Sequence, residues 1–319
     1  MRLQIILALT AGLLTATPVL GQGQGPRGPN DVTASAVPGV VAAGAKWKLI
    51  WNGPDSADGI VGTPDGGVIF AQREVSRVRK IDLNGKSSVV VEHTDGAGSL
   101  GIDYVGRIVG VLRDHPSVAY LTPEHKVLTD NYQGIPLKGA ADLVVEHRGG
   151  LYFTESRRMP TPATYYLAPD GKMFFFGEGR RANGLALSPD EKTLYLPNRE
   201  IIEAFDILPD GTGTNRRDFA KLQGGEGIAS DGMAVDADGR LYATTRLGVQ
   251  VISAEGEFLG TIPTPRVPTS VAFSGTDKKT LFIITRGAVN ADGKERTDAT
   301  ARSIYSMPML AQGFKGRAK

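Results

Sequence analysis

The amino-acid sequence predicts an all-β protein, a six-bladed β-propeller with four-stranded blades. The first observation is a β-rich unit that recurs six times at intervals of about forty residues. The second is composition, because 41 of the 319 residues are glycine, a share of about 13% that is nearly twice the usual one. The third is that apolar residues at helical spacing are missing beyond the N-terminal segment. Together these observations predict many turns and short strands.

Each copy of the repeat consists of an apolar run, a polar turn and a second apolar run. The six copies cover residues 60–71, 100–111, 143–154, 185–196, 233–244 and 271–284. A second hairpin signal, such as Asn84-Gly85 or Asp210-Gly211, lies between successive copies. Each unit therefore contains four short strands, which is the pattern of a propeller blade.

The two ends of the repeat region predict how the ring closes. One further strand, 303–307, follows the sixth copy, and an unpaired apolar segment, 47–51, precedes the first. We expect this N-terminal strand to complete the last blade, because an open ring would expose two strand edges. A single propeller domain is thus predicted at residues 45–319.

The first 44 residues are predicted to precede the propeller. A basic start at Met1-Arg2, an apolar run and small residues near Gly21 are typical of a secretory signal peptide, here 1–21, with a membrane anchor as the alternative. Residues 22–44, rich in Gly, Pro, Ala and Ser, predict a flexible leader. Export without cysteines favours a periplasmic or secreted bacterial protein that has no membrane contact after cleavage.

Charge and cysteine content exclude several classes of function. The chain has 36 Lys and Arg against 34 Asp and Glu, and the basic residues cluster as pairs at most, so no nucleic-acid partner is expected. The lack of cysteine excludes thiolate-ligated zinc, iron–sulfur clusters and a cysteine nucleophile. The four histidines occupy unrelated phases of the repeat, which argues against a histidine-bound zinc.

The register of the repeat identifies candidate channel residues. Five residues before each turn the chain enters the predicted innermost strand, and the equivalent positions are Asp58, Gly98, Ala141, Asn183, Asp231 and Thr269. Three of them carry carboxylate or amide oxygens, which suit a hard cation such as Ca²⁺. Each of these three precedes a glycine, so a plain turn dipeptide is the alternative interpretation.

The chain resembles the six-bladed calcium propellers of the senescence marker protein, gluconolactonase and luciferin-regenerating enzyme family. The resemblance spans about residues 45–308, and the best-matched stretches are 182–196, 230–244, 258–265 and 268–286. It implies one divalent cation, Ca²⁺ with Zn²⁺ or Mn²⁺ as alternatives, held by Asp58, Asn183 and Asp231. The family has Glu at the position of Asp58 and usually Asn at that of Ala141, so a weaker metal site or a pseudo-enzyme stays open.

The same resemblance implies a metal-dependent hydrolase that opens a sugar lactone or a similar small lactone. Asp231 is the candidate base, and Asp142 is a candidate to share its role. Arg181 and Arg246 are candidate substrate-binding residues for an anionic substrate, with solvated loop arginines as the alternative. A phosphotriesterase-like hydrolase and a non-catalytic binding scaffold are the rival functions.

Overall fold

The chain forms six four-stranded antiparallel sheets, the number that the sequence repeat predicted. The computed structural model describes residues 32–156, 162–178 and 182–316. Within these ranges the regular structure is β-strand apart from one short 3₁₀ helix at Arg73–Val75. The predicted all-β, six-bladed propeller is confirmed.

The strands of blades 1 to 3 are consecutive in sequence and come after strand β1 (Lys48–Gly53). Blade 1 contains β2 (Asp58–Gly62), β3 (Val68–Gln72), β4 (Arg77–Ile81) and β5 (Ser87–Glu92). Blade 2 contains β6 (Ala97–Ile102), β7 (Ile108–Leu112), β8 (Ser117–Tyr120) and β9 (Lys126–Thr129). A small hairpin follows, formed by β10 (Asn131–Tyr132) and β11 (Ile135–Pro136). Blade 3 contains β12 (Leu143–Val145), β13 (Leu151–Glu155), β14 (Ala163–Leu167) and β15 (Met173–Glu178).

The remaining blades continue the same order, and the last one takes its fourth strand from the start of the chain. Blade 4 contains β16 (Ala186–Leu187), β17 (Thr193–Asn198), β18 (Ile201–Ile207) and β19 (Gly213–Lys221). Blade 5 contains β20 (Met233–Val235), β21 (Leu241–Thr245), β22 (Gly248–Ile252) and β23 (Phe258–Ile262). Blade 6 contains β24 (Pro268–Ser274), β25 (Thr280–Arg286), β26 (Arg302–Pro308) and β1.

Strand β1 closes the ring by pairing with β26. The pairing is antiparallel, with Leu49 opposite Tyr305 and Asn52 opposite Ser303. The first strand of blade 1, β2, also contacts β24, the first strand of blade 6. Ring closure by the N-terminal strand, predicted from the single strand left over at 303–307, is confirmed.

Over the described residues, the hydrophobic core is divided into six clusters, one between each pair of neighbouring blades. In β24, Val271 and Phe273 belong to the cluster shared with blade 5, whereas Ala272 belongs to the cluster shared with blade 1. Successive side chains of a strand point to opposite faces of its sheet. Both faces of each blade are covered by neighbouring blades. The strand sequences are therefore continuous apolar runs and do not alternate strictly between apolar and polar residues.

Residues 32–44 differ from the flexible leader expected at 22–44, of which residues 22–31 lie outside the described residues. From Val32 onward this segment packs against blades 5 and 6, and the side chains of Val40 and Val41 are fully buried in their shared cluster. The carbonyl oxygen of Val40 accepts hydrogen bonds from the backbone N–H groups of Leu310 and Ala311 at 2.9 and 3.1 Å. Residues 32–44 are therefore part of the folded unit, because their valines supply the apolar surface that an ordered segment needs.

The predicted signal peptide, residues 1–21, lies outside the described residues and stays a prediction. In the ranges that the structure covers, no helix has the length and apolar character needed to cross a membrane.

Candidate active site

A cavity of about 300 Å³ lies where the innermost strands begin, at one end of the channel. Five of the six positions identified from the repeat register line it: Asp58, Ala141, Asn183, Asp231 and Thr269. In blade 2, Ser99, the neighbour of Gly98, takes the sixth place. Two further acidic residues, Asp142 and Glu74, also line the cavity. The structure thus brings the three predicted metal ligands and both predicted catalytic carboxylates to one cavity.

The glycines that follow these polar residues allow adjacent blades to approach each other closely. A Cβ on Gly184 would lie 2.1 Å from the carbonyl oxygen of Asp231, and one on Gly232 would lie 2.9 Å from the Cα of Ser270. Gly59 has a φ of +49°, and its Cβ would lie 2.3 Å from the Cα of Ser99. Side chains have no room at these positions, so the chain places glycine there and leaves the preceding polar side chain facing the cavity.

Hydrogen bonds hold the polar side chains in place. The Asn183 side-chain amide donates to Oδ1 of Asp231 at 2.5 Å, and the Ser99 hydroxyl donates to Oδ1 of Asp142 at 2.5 Å. The same Asp142 oxygen accepts the backbone N–H of Leu143 at 2.9 Å. Asp142 is buried, whereas Asp58 exposes 37% of its side chain. Of the three carboxylates that belong to the predicted site, Asp142 is therefore fixed and buried, while Asp58 and Asp231 are more accessible.

The carboxylates repel one another across the cavity. Burial, followed by the charges of Asp58 and Asp142, raises the pKa of Asp231 to about 7, while Arg286 and Arg113 oppose the rise. Burial also raises the pKa of Asp58, against the opposing charge of Arg113. A carboxyl with a pKa near 7 exchanges its proton at neutral pH, which suits a general base.

Arg113, which the sequence analysis did not identify, lies against this acidic group. It directly follows β7, and its Nη2 atom is 3.4 Å from Oδ2 of Asp58 and 3.3 Å from the carbonyl oxygen of Ala141. Its side chain is 11% exposed, and its buried Nε–H has no hydrogen-bond partner among the described residues. Arg113 therefore brings a cationic group, with donor capacity to spare, to the cavity wall.

The sequence does contain a signal for this arginine. Gly98 and Ala141 are small at register positions where other blades have polar side chains, and a Cβ on Gly98 would lie 2.2 Å from the Nε of Arg113. The two small residues thus leave space that a side chain from another strand occupies. Sequence reasoning limited to one position per blade could not find that side chain.

Of the two arginines predicted to bind substrate, Arg246 falls within the described residues and does not line this cavity. Arg181 lies outside the described residues, so its position stays a prediction. Arg246 is absent from the cavity wall, and its Nη2 donates to the carbonyl oxygen of Gly224 at 2.8 Å. Three other arginines, Arg73, Arg286 and Arg302, line the cavity besides Arg113.

The oxygen atoms of the cavity fit a hard divalent cation. Asp58 and Asp231 offer carboxylate oxygens, and Asn183 offers an amide oxygen. In the part of the chain that the structure describes, no group of three or more histidine, aspartate or glutamate side chains is arranged to hold a metal. Asp58, Asn183 and Asp231 would hold a cation such as Ca²⁺, with water completing its coordination.

Comparison with known proteins places this arrangement in a family. The model of the SMP-30/Gluconolactonase/LRE-like region matches residues 96–287, more than half of the chain. A gluconolactonase from Zymomonas mobilis is 33% identical over 186 residues, which cover 51% of this chain and 52% of that protein. Regucalcin from Xenopus laevis is 34% identical over 145 residues, covering 43% and 47% of the two chains. The chain thus spans about half the length of the curated relatives it matches.

Solved structures agree on the fold over a larger part of the chain. A gluconolactonase from Xanthomonas campestris superposes with a TM-score of 0.72 and 24% identity, covering 88% of this chain and 95% of that one. A regucalcin from Agrobacterium tumefaciens gives a TM-score of 0.65 at 15% identity, covering 84% and 96%. With the family model matched over blades 2 to 6, the chain belongs to the SMP-30/gluconolactonase/LRE-like family.

Proposed function

We propose that this chain is a hydrolase that opens a sugar lactone or a similar small lactone with the help of a divalent cation, Ca²⁺ first. The observation that carries the proposal is the convergence of Asp58, Asp142, Asp231 and Asn183 on one cavity at the end of the channel. The similarity to gluconolactonases supports the same reaction class. A cavity of about 300 Å³ is large enough for a small ligand.

The side chains divide the work of lactone opening among them. Asp58, Asn183 and Asp231 would hold the cation, which when bound supplies Lewis-acid polarisation of the lactone carbonyl. Asp231, on the cavity wall, accepts the proton of the attacking water and returns it to the ring oxygen as the ester C–O bond breaks. Asp142, fixed by the hydroxyl of Ser99, keeps the cavity negative and so favours proton transfer to Asp231.

Lactone hydrolysis before and after removal of metal tests the proposal. Proton release from glucono-δ-lactone is followed in a pH-stat, first with chelator and then with added Ca²⁺, Mn²⁺, Zn²⁺ or Mg²⁺. We expect chelation to abolish activity and Ca²⁺ to restore it. Asp231→Asn should be inactive under all conditions, while Asp206→Asn, which changes an exposed carboxylate of blade 4, should behave as wild type.

Two outcomes would contradict different parts of the proposal. Full activity in the presence of chelator would show that the cation has no role in the mechanism, but it would still support a hydrolase. Failure to open any lactone with any of the four metals would contradict the hydrolase itself and favour a binding scaffold.

Export of the protein is a second, separate proposal. It rests on the basic and apolar N-terminal segment of the sequence. N-terminal sequencing of material from the periplasm should find a mature chain that begins after residue 21, and an intact Met1 on a membrane fraction would indicate an anchor instead.

A further inference from the structure

The part of the cavity wall that blade 6 contributes is basic. Arg286 ends β25 and Arg302 begins β26, and the register of the two strands places them directly opposite each other. Both residues line the cavity. Like charges at opposed positions of neighbouring strands destabilise a sheet, so the fold alone gives no reason to keep two arginines here.

Neither guanidinium group is paired with a carboxylate of the residues that the structure describes. Over the described residues, no salt bridge involves Arg286 or Arg302. The Nη1 atom of Arg302 donates to the carbonyl oxygens of Ala299 and Ala301 at 3.0 and 2.8 Å. These backbone hydrogen bonds fix the position of Arg302 without cancelling its charge.

Arginines just outside the cavity are, by contrast, paired with carboxylates. Arg266, which precedes β24, forms a salt bridge with Glu295 in the β25–β26 connection. Arg296, in that same connection, pairs with Asp298 at 2.9 Å. The connection therefore has carboxylates available, and they pair with arginines that do not line the cavity.

The charges of the two unpaired arginines act inside the cavity. Arg286 opposes the rise in the pKa of Asp231, and Arg302 opposes that of Asp58. Arg113 adds a third guanidinium deeper in the wall, where its Nε–H has no hydrogen-bond partner among the described residues. The cavity thus has an acidic part, made by blades 1, 3 and 5, and a basic part centred on blade 6.

We propose that Arg286 and Arg302, together with Arg113, bind an anionic oxygen group of the substrate. The substrate is then a lactone that carries a carboxylate, sulfonate or phosphate group away from its ring. Guanidinium groups bind such oxyanions through paired, charge-assisted N–H···O bonds. The inference rests on the proposed lactonase function. In it, the anionic end of the lactone binds at blade 6, and the lactone carbonyl lies next to Asp231.

Binding of two sugar acids tests this subsite without turnover. Isothermal titration of the full chain compares 6-phosphogluconate with gluconate, which share the carboxylate that ring opening creates and differ in the phosphate. We expect 6-phosphogluconate to bind at least about tenfold more tightly, with the preference falling as NaCl is added. Equal affinity for the two acids, or binding of neither, would overturn the proposal.

Substitutions then identify the residues responsible. Arg286→Gln and Arg302→Gln should each reduce the preference by about tenfold, while Arg286→Lys, which keeps the charge but loses the planar fork, should give an intermediate value. The matched control is Arg296→Gln, because Arg296 belongs to the same connection and is paired with Asp298. A preference that persists in both Arg286→Gln and Arg302→Gln would refute the assignment.

Kinetics extend the test to the reaction. The ratio of kcat/KM for 6-phosphogluconolactone to that for gluconolactone should fall about tenfold in Arg286→Gln, mainly through KM. Arg296→Gln should keep the wild-type ratio. If the chain hydrolyses neither lactone, the proposed function fails, and the sugar-acid titration still decides whether the oxyanion subsite exists.

Discussion

Without a bound cation, the stability of this protein should fall as the pH rises from 5 to 8. Burial and the neighbouring carboxylates raise the pKa of Asp231 from 3.8 to about 7. Between these values the carboxyl of the unfolded chain has lost its proton, while that of the folded chain retains it. The unfolded state then binds fewer protons, so the free energy of unfolding decreases with pH until the folded carboxyl ionises.

The size of the effect follows from the two pKa values. A difference from 3.8 to about 7, at about 1.4 kcal/mol per pH unit, corresponds to at most about 4 kcal/mol. Only about two pH units lie between pH 5 and the folded pKa of about 7, so at most about 3 kcal/mol of this total is lost between pH 5 and pH 8. Because Asp231 is only partly buried, we expect roughly half to all of that amount. In a protein of this size, each kcal/mol moves the melting temperature by about 2 °C. The predicted loss between pH 5 and pH 8 is therefore about 3 to 6 °C.

Thermal unfolding at pH 5 and pH 8, in chelator and in Ca²⁺, measures this loss. In chelator the wild-type melting temperature should drop by the predicted amount, and Asp231→Asn should lose clearly less. Ca²⁺ should restore the wild type more at pH 8 than at pH 5, because a cation binds the ionised carboxylate. The control is Asp206→Asn: hydrogen bonds from Asn215 and Arg217 lower the pKa of Asp206, so it stays ionised over this range.

Two results would refute the reasoning. Equal pH dependence in wild type and Asp231→Asn would show that Asp231 is not the carboxyl whose pKa is raised. A Ca²⁺-induced increase in melting temperature of the same size at both pH values would show that cation binding does not depend on its ionisation.

Three further changes have outcomes fixed by single contacts. Gly184→Ala should cost about 1 to 3 kcal/mol of stability and lower kcat/KM, because its Cβ would press on the carbonyl oxygen of Asp231; wild-type activity and melting temperature would contradict this. Trp47→Phe should cost about 1 to 2 kcal/mol in urea unfolding, since the indole N–H donates to the carbonyl oxygen of Pro263 at 2.7 Å; an unchanged midpoint would show that this bond contributes nothing. Deletion of residues 45–53 should make the protein insoluble by exposing the edge of β26, and a soluble, monodisperse product in sedimentation would argue against closure by β1.

The sequence predicted the blades and the positions of the acidic residues because a propeller repeats its geometry. Once the repeat register is known, rotation carries each equivalent residue to the same end of the channel. Asp58, Asn183 and Asp231 therefore meet at the cavity, although 48 residues separate the last two and more than 100 separate the first two. The prediction needed no side-chain detail. It needed only the number of residues between each turn and the start of the innermost strand.

The basic residues of the cavity escaped prediction because they do not follow that register. Arg113 follows the second strand of its blade, and Arg286 and Arg302 flank the long connection between β25 and β26. The positions of these arginines depend on how far each strand extends past the cavity. That extension varies between blades, so the repeat register does not predict it. The packing of residues 32–44 escaped prediction for a related reason: isolated valines such as Val37 and Val40 bury apolar surface without any periodic pattern.

The structure also shows why the turn interpretation of the Asp-Gly and Asn-Gly pairs does not compete with the site interpretation. In a plain turn dipeptide the glycine provides conformational freedom, and its neighbour faces solvent. Here a Cβ on Gly184 or Gly232 would collide with the backbone of the next blade, so these glycines are required by the convergence of the inner strands. The same convergence brings Asn183 within hydrogen-bond distance of Asp231, and it brings Asp58 and Asp142 close enough to contribute to the raised pKa of Asp231. Close packing of the blades and the chemistry of the cavity therefore depend on the same residue pairs. A side chain that pushes two inner strands apart should lower both the stability of the protein and its activity.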